Sequence, residues 1–160
     1  MYRDITVLLV EDDTLIARAM DLKLSAKHFR VLRAPDKITA IDLIDKADIM
    51  VLDLSLPNGD GRDLLRRWVR QFDVGPSMVI TGYSVTDDEV PEAWSIMRKP
   101  FKIDRLVEIV EKYAIVVRGM RCCKEVRVLK KRMNLMWIAI AALGGIELIG
   151  PIAKFIITQF

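Results

Sequence analysis

The sequence has few of the residues that build disulfide frameworks or low-complexity chains. Only two of the 160 residues are cysteine, and they are adjacent at Cys122 and Cys123, so they cannot form a disulfide framework. A reducing, cytosolic compartment is therefore expected for the folded part. The only histidine, His28, ends a predicted helix among charged residues, where we expect a surface residue and not a phosphate carrier. Six prolines and eight glycines exclude a collagenous or low-complexity chain, and the 52% hydrophobic share excludes intrinsic disorder.

Charge is unevenly distributed along the chain, although the net charge is only +3. Residues 1–117 carry 17 Lys and Arg against 20 Asp and Glu, whereas residues 118–160 carry eight against two. This change places a boundary near Arg118. We predict a folded domain over 1–117, a basic helical linker over 118–132 and an apolar helix over 133–160.

Short apolar runs in the first part are continuous and not alternating, which is typical of parallel strands buried on both faces. Segments with helical periodicity separate them. The alternation predicts an α/β domain with a doubly wound five-stranded parallel sheet. The strands are expected at 5–10, 30–33, 49–52, 78–80 and 94–97, and the helices at 14–27, 36–46, 60–72 and 103–117.

The helical patterns also predict which residues face the core. In the first helix Leu15, Ala19 and Leu22 recur on one face, with Thr14 as the N-cap. In the second helix Ile38 belongs to the same kind of stripe. The last helix follows a different stripe from the linker after it, so we expect a break near Gly119.

Polar residues stand where the predicted strands end, and ligands of open parallel sheets bind at that edge. Carboxylates held close together repel one another unless a cation lies among them, and oxygen ligands suit Mg²⁺. Metal-assisted phosphoryl transfer needs a nucleophile, a divalent ion, a fixed positive charge and hydrogen-bond donors. The residues at this edge are Glu11, Asp12, Asp13, Asp53, Thr81 and Lys99.

Four motifs in this order resemble the response-regulator receiver family of two-component signalling. They are Val10-Glu11-Asp12-Asp13, Asp53-Leu54-Ser55-Leu56-Pro57-Asn58-Gly59-Asp60-Gly61, Ile80-Thr81-Gly82 and Lys99-Pro100-Phe101. The resemblance covers residues 4–117. It implies a flavodoxin-like receiver fold with strand order 2-1-3-4-5.

The resemblance also assigns roles to these residues. It implies that Asp53 accepts a phosphoryl group from a sensor histidine kinase or a phosphotransfer protein. Glu11, Asp12 and Asp53 would hold Mg²⁺ together with the backbone carbonyl of Ser55, and Asp13 would be a neighbour and not a ligand.

Thr81 matches the switch hydroxyl of the family and Lys99 the ammonium that links phosphorylation to rearrangement. A cis peptide between Lys99 and Pro100 is expected from the family, since X-Pro bonds tolerate the cis form.

Two features depart from the family pattern. The position three before the lysine is Ile96 where the family has an aromatic switch residue, and Trp94 is the nearest aromatic that could substitute. The stretch from Thr81 to Lys99 is short and contains Pro91, so the fourth helix is expected to be stunted or irregular.

The last 43 residues are apolar beyond the basic linker. The window 135–153 averages about +1.9 on a standard hydropathy scale, and 135–157 is long enough to cross a bilayer, so we predict a transmembrane helix. Lys130-Lys131-Arg132 would keep the N-terminal side in the cytoplasm. Glu147 within the span leaves two alternatives open, a helix on a membrane surface or partner, and a buried soluble helix.

Together these features predict a phospho-accepting response regulator on the cytoplasmic face of the plasma membrane. We expect no turnover of an external substrate, no DNA-binding output domain and no nucleic-acid partner, because no helix-turn-helix pattern follows the basic segment. Membrane lipid is expected to contact 118–160, and Ala141 and Gly145 could support a homodimer. The alternative is a membrane-localising scaffold that uses a receiver fold as a docking surface with little phospho-switching.

Overall fold

A computed structural model describes the backbone of residues 2–57, 59–72, 75–82, 86 and 89–142, and their side chains except at 71, 72 and 123–142. The chain divides into two compact units, Met1–Arg118 and Gly119–Phe160. The first unit carries the sheet, and the described residues of the second are helical.

The central sheet has five parallel strands in the order β2-β1-β3-β6-β7. Because β4 and β5 form a separate two-stranded hairpin, this is the predicted order 2-1-3-4-5, and the predicted sheet is confirmed. Every residue of β1, β3 and β6 is buried, as the continuous apolar runs predicted. The strands are β1 Thr6–Val10, β2 Arg30–Ala34, β3 Ile49–Asp53, β4 Ser55–Leu56, β5 Gly59–Asp60, β6 Ser77–Thr81 and β7 Ser95–Arg98.

Helices cover both faces of the sheet. They are α1 Thr14–Ala26, α2 Lys37–Leu43 with a 3₁₀ turn over Ile44–Lys46, α3 Arg62–Phe72 and α4 Ile103–Ala142. Residues of α1 and of the first turns of α4 pack on one face, and residues of α2 and α3 pack on the other. On the second face Trp68 is fully buried and its indole nitrogen donates to the Gly75 carbonyl at 2.9 Å.

The predicted core face of α1 is wrong. Leu15 and Leu22 are 78% and 64% exposed, and the residues that pack on the sheet are Ala17, Met20 and Leu24. Their i, i+3, i+7 spacing is as regular as the spacing of Leu15 and Leu22. The sequence of α1 therefore contains two apolar stripes, and the one that begins at Ala17 faces the sheet. Ile38 in α2 is likewise exposed, contrary to prediction.

The N-cap of α1 is Asp13 and not the predicted Thr14. Its carboxylate accepts hydrogen bonds from the amides of Leu15 at 2.8 Å and Ile16 at 3.0 Å. An aspartate caps a helix because its oxygen satisfies amides that lack a partner in the first turn. Asp13 is therefore used in helix capping.

The predicted break near Gly119 is also wrong, because α4 runs without interruption from Ile103 to Ala142. A single glycine costs a helix only about 1 kcal/mol, which good helix formers on both sides can offset. Among the residues that the structure describes, no helix has both the length and the apolar character needed to cross a membrane. Most of the predicted span, residues 143–160, lies outside the described residues.

The connection from β6 to β7 contains no α-helix among its described residues, 82, 86 and 89–94. Val90 is buried there and Ala93 packs against the same core as α2 and α3. Pro91 lies between them, where it lacks the amide that a helix interior would use.

The C-terminus of α1 offers a test of backbone strain. His28 adopts φ 67°, its amide donates to Ser25 at 2.8 Å, and the Phe29 amide donates to Leu24 at 3.2 Å. This is a Schellman ending, whose left-handed residue is usually glycine.

We therefore expect His28→Gly to stabilise the protein by about 0.5–1 kcal/mol, because the imidazole is exposed and only the Cβ penalty is removed. Urea unfolding measures the change. His28→Ala is the control and should give no gain, and equal stabilisation by Ala and Gly would contradict this explanation.

Candidate functional site

Two buried carboxylates lie at the carboxyl ends of neighbouring strands. Asp53 is the last residue of β3, and Glu11 directly follows β1, which pairs with β3. Each is only 2% exposed, whereas Asp12 next to Glu11 is exposed. One carboxylate oxygen from each of the three lies within 4.8 Å of the others.

Lys99 joins this cluster from the end of β7. Its ammonium donates to Asp53 Oδ2 at 2.6 Å and to the two carboxylate oxygens of Glu11 at 3.1 and 3.0 Å. Its backbone amide donates to the Thr81 carbonyl at 2.8 Å, and the Lys99–Pro100 peptide is cis, as expected.

Burial and pairing act in opposite directions on the charges of this cluster. Burial and the neighbouring charge of Asp53 together raise the pKa of Glu11 above its usual value, although the contacts with Lys99 lower it. Partial burial by itself would lower the pKa of Lys99, but the hydrogen bonds to Asp53 and Glu11 and the negative charges of both carboxylates together raise it. Lys99 therefore remains an ammonium at neutral pH and supplies the positive charge between the two carboxylates.

The second oxygen of Asp53 is held by the hairpin that follows β3. The Ser55 amide donates to Asp53 Oδ1 at 2.9 Å. At Gly61 a Cβ would lie 3.0 Å from the Asp53 carbonyl oxygen and 3.1 Å from the Leu54 Cα, so any side chain there would push against the backbone of both residues. The hairpin thus holds the Asp53 side chain through the Ser55 amide, and the chain after the hairpin passes close to the Asp53 backbone.

A cleft of about 620 Å³ opens beside these strand ends. The structure brings all six predicted site residues to this edge. Lys99 contacts Glu11 and Asp53, and a carboxylate oxygen of Asp12 lies within 4.8 Å of theirs. Asp13 caps α1 directly after Asp12, and Thr81 is fully buried at the end of β6. The cleft is lined by Asp12, Leu54, Ser55, Leu56, Pro57, Gly59, Asp60, Arg62, Thr81 and Glu89.

The donor set fits a hard divalent cation. Glu11, Asp12 and Asp53 offer only oxygen atoms, and Asp12 is the exposed member of the three. Mg²⁺ is typically held by a few carboxylates and keeps several waters. Ser55 contacts Asp53 through its amide, and the role of its carbonyl stays a prediction.

Ile96 and Trp94 lie in different cores. Ile96 packs with α2 and α3, whereas Trp94 packs with α1 and α4 and meets the Tyr113 ring edge-on at 5.5 Å. The Tyr113 hydroxyl donates to Ser95 Oγ at 2.7 Å on that side. Trp94 therefore does not take the place of the missing aromatic at position 96.

Sequence reasoning missed three charged residues that line the cleft, Asp60, Arg62 and Glu89. Arg62 contacts both acids, with 3.0 Å from Nη1 to Asp60 Oδ2 and 3.8 Å from Nη2 to Glu89 Oε1. The available signal was an arginine directly after Asp60-Gly61, at the start of a helix that follows the site motif.

A family model described as the response regulator receiver domain matches residues 7–111. The chain belongs to the response regulator receiver domain family. This confirms the resemblance seen in the four motifs. Receiver domains act in two-component signalling, where phosphorylation, Mg²⁺ binding at an acidic pocket and contact with histidine kinases or phosphotransfer proteins are general.

The curated relatives of this chain include response regulators. The cell cycle response regulator CtrA of Brucella ovis is 34% identical over 119 residues, which are 71% of this chain and 50% of CtrA. The chain thus spans about half the length of the curated relatives it matches.

Solved receiver structures share the fold. A CheY-like receiver domain from Methanospirillum hungatei is 20% identical with a TM-score of 0.66, and covers 72% of this chain and 98% of its own. The response regulator TrrA of Thermotoga maritima, solved in complex with Mg²⁺-BeF, is 21% identical with a TM-score of 0.62, over 68% and 98% of the two chains.

The acidic cluster predicts that Mg²⁺ stabilises this receiver domain. Asp12→Asn should lose most of that stabilisation, which for wild type reaches about 2.7 kcal/mol at a hundredfold excess over Kd. The measurement is urea unfolding of the full chain with Mg²⁺ and with EDTA. Asp13→Asn is the matched control and should keep the Mg²⁺ effect, since asparagine also caps α1. An Asp12→Asn variant with the full Mg²⁺ effect would show that the ion binds elsewhere.

Proposed function

We propose that this chain is a phospho-accepting response regulator, phosphorylated on Asp53 by the phosphohistidine of a sensor kinase or a phosphotransfer protein. The observation that carries the proposal is the Asp53 carboxylate itself. It touches the Lys99 ammonium, lies within carboxylate reach of Glu11 and Asp12, and stands beside an open cleft.

The transfer replaces one bond to phosphorus by another. An Asp53 carboxylate oxygen forms a bond to phosphorus, the bond from phosphorus to the donor imidazole nitrogen breaks, and that nitrogen takes up a proton. The product is an aspartyl phosphate dianion and a neutral imidazole. Mg²⁺ held by Glu11, Asp12, Asp53 and the Ser55 carbonyl would supply charge stabilisation for the phosphoryl oxygens.

Lys99 and Thr81 position and bind the transferred group. The Lys99 ammonium already contacts the reacting carboxylate at 2.6 Å, so a phosphoryl group on Asp53 stays within its reach. Thr81 lines the same cleft. Because the Lys99 amide donates to the Thr81 carbonyl, a shift of one residue acts on the other. The chain then catalyses only its own phosphorylation and hydrolysis and turns over no other substrate.

Acetyl phosphate with Mg²⁺ should add one phosphoryl group to the wild-type chain, and Asp53→Asn should abolish the gain, as measured by intact-protein mass. Asp36→Asn is a matched control, because Asp36 also follows a strand but caps α2 through the Thr39 amide at 2.8 Å. Equal modification of wild type and Asp53→Asn would refute the proposal.

The second candidate is a docking scaffold with little phospho-switching. Two observations favour it: Ile96 replaces the aromatic switch residue, and no described residue between β6 and β7 is in an α-helix. Amide exchange separates the candidates. Phosphorylation that changes exchange around 81–94 supports a switch, and phosphorylation that leaves it unchanged supports the scaffold.

We further propose that residues 118–160 hold the protein at the cytoplasmic face of the plasma membrane. The basic excess of 118–132 suits anionic lipid headgroups, at about 1 kcal/mol for each basic residue near the surface, and the apolar 133–160 suits the hydrocarbon core. This orientation places Asp53 on the side where a kinase has access.

In flotation and alkaline extraction, the full chain should stay with membranes and a chain ending at Arg118 should be released. Arg118 is kept because its guanidinium donates to Asp4 at 2.6 Å within the first unit. Release of both chains would remove the anchor and leave 133–160 as a packing or dimerisation helix.

A further inference from the structure

Arg62 is a positively charged residue in the wall of the cleft. The proposed phosphorylation, which uses the acidic cluster and Lys99, gives Arg62 no role. Arg62 is the first residue of α3 and lines the cleft together with Asp12, Ser55 and Thr81, which flank Asp53. The residue before it, Gly61, is the one that approaches the Asp53 carbonyl oxygen. Arg62 is thus attached to the backbone segment that lies against the phosphoacceptor.

The hydrogen-bonding capacity of this guanidinium is only partly used. Nη1 has one good partner, Asp60 Oδ2 at 3.0 Å, while the 3.8 Å from Nη2 to Glu89 Oε1 is too long for a hydrogen bond. Arg62 Nε is buried and has no hydrogen-bond partner. Among the described residues it is the one buried side-chain polar atom of which this is true. The Arg62 side chain as a whole is 33% exposed, but an N–H donor that is shielded from water and lacks a partner is costly and is rarely retained without a reason.

A phosphoryl group on Asp53 would supply what this guanidinium lacks. The aspartyl phosphate dianion carries one more negative charge than the carboxylate it replaces and presents three acceptor oxygens. Arginine binds such oxygens through two parallel donors at once, a geometry that a carboxylate 3.8 Å away does not provide.

We propose that Arg62 is a phosphoryl-binding residue of this receiver, which exchanges its long contact with Glu89 for the phosphoryl oxygens on Asp53. Glu89 competes with the phosphoryl group for the guanidinium. This inference rests on the proposed phosphorylation of Asp53.

Replacing the Arg62–Glu89 contact by a contact with the phosphoryl oxygens would also affect the connection between β6 and β7. Glu89 Oε2 accepts hydrogen bonds from the Thr86 amide at 2.8 Å and from the Thr86 hydroxyl at 3.1 Å. Arg62 therefore links the start of α3 to the segment after Thr81 through Glu89. Loss of the Arg62 contact frees one side of that segment when the phosphoryl group binds.

The test uses beryllofluoride as the phosphoryl mimic, bound to the full chain in a non-ionic detergent with saturating Mg²⁺ and followed by calorimetry. Arg62→Gln should weaken beryllofluoride binding about tenfold or more, the size expected for a charge-assisted hydrogen bond. Glu89→Gln should strengthen it about two- to fivefold, because a competing exposed ion pair is removed.

Arg66→Gln is the matched control. Arg66 lies one turn further along α3 and makes comparable contacts with Asp63 at 3.3 Å and Glu92 at 3.9 Å. This variant should bind beryllofluoride as wild type does. Mg²⁺ binding without beryllofluoride should not weaken in Arg62→Gln, since a merely structural loss would weaken both.

The outcomes separate this inference from the proposed function. A wild-type chain that binds no beryllofluoride contradicts the phosphorylation of Asp53 itself. Wild-type binding that Arg62→Gln leaves unchanged, or that Glu89→Gln weakens, overturns the role of Arg62 alone. Opposite shifts in the two variants support the exchange.

Discussion

Glu11 and Asp53 are two carboxylates removed from water at neighbouring strand ends, where they would repel each other without a cation between them. The Lys99 ammonium contacts both, so the three side chains are stable only as a group. That group requires β1, β3 and β7 to end at one edge, which a parallel sheet provides. The fold and the charge arrangement therefore depend on each other: a shift of any one strand end would separate a buried charge from its partner.

The two walls of the cleft differ in how they are built. One wall consists of strand ends whose backbones belong to the central sheet. The other consists of the β4–β5 hairpin, the start of α3 and Glu89, which lie outside the central sheet and whose charged side chains meet in ion pairs. Charge that enters the cleft therefore acts on the second wall first, since ion pairs rearrange more easily than a parallel ladder.

Much of the fold and site could be predicted from sequence because the signals were local and redundant. Continuous apolar runs marked the buried strands. A polar residue of a recognisable motif stood at or directly after the end of β1, β3, β6 and β7. The face of α1 could not be predicted, because Leu15 and Leu22 compete with Ala17 and Met20 and only the sheet decides between them. Arg62 was missed for a similar reason, since its place in the cleft depends on the hairpin, and the break at Gly119 failed because one glycine is a weak signal.

Two of the tryptophans, Trp68 and Trp94, lie in separate optical environments. Trp68 is dry and hydrogen-bonded between α3 and the sheet, on the side of the core that contains Leu54 and Ile96. Trp94 lies edge-on to Tyr113 on the other side. The emission of a tryptophan depends on its immediate surroundings, so these two fluorophores report on opposite layers of the sheet. With Trp137, the third tryptophan, replaced by phenylalanine, the molecule would contain an internal pair of probes that can tell in which layer a signal begins.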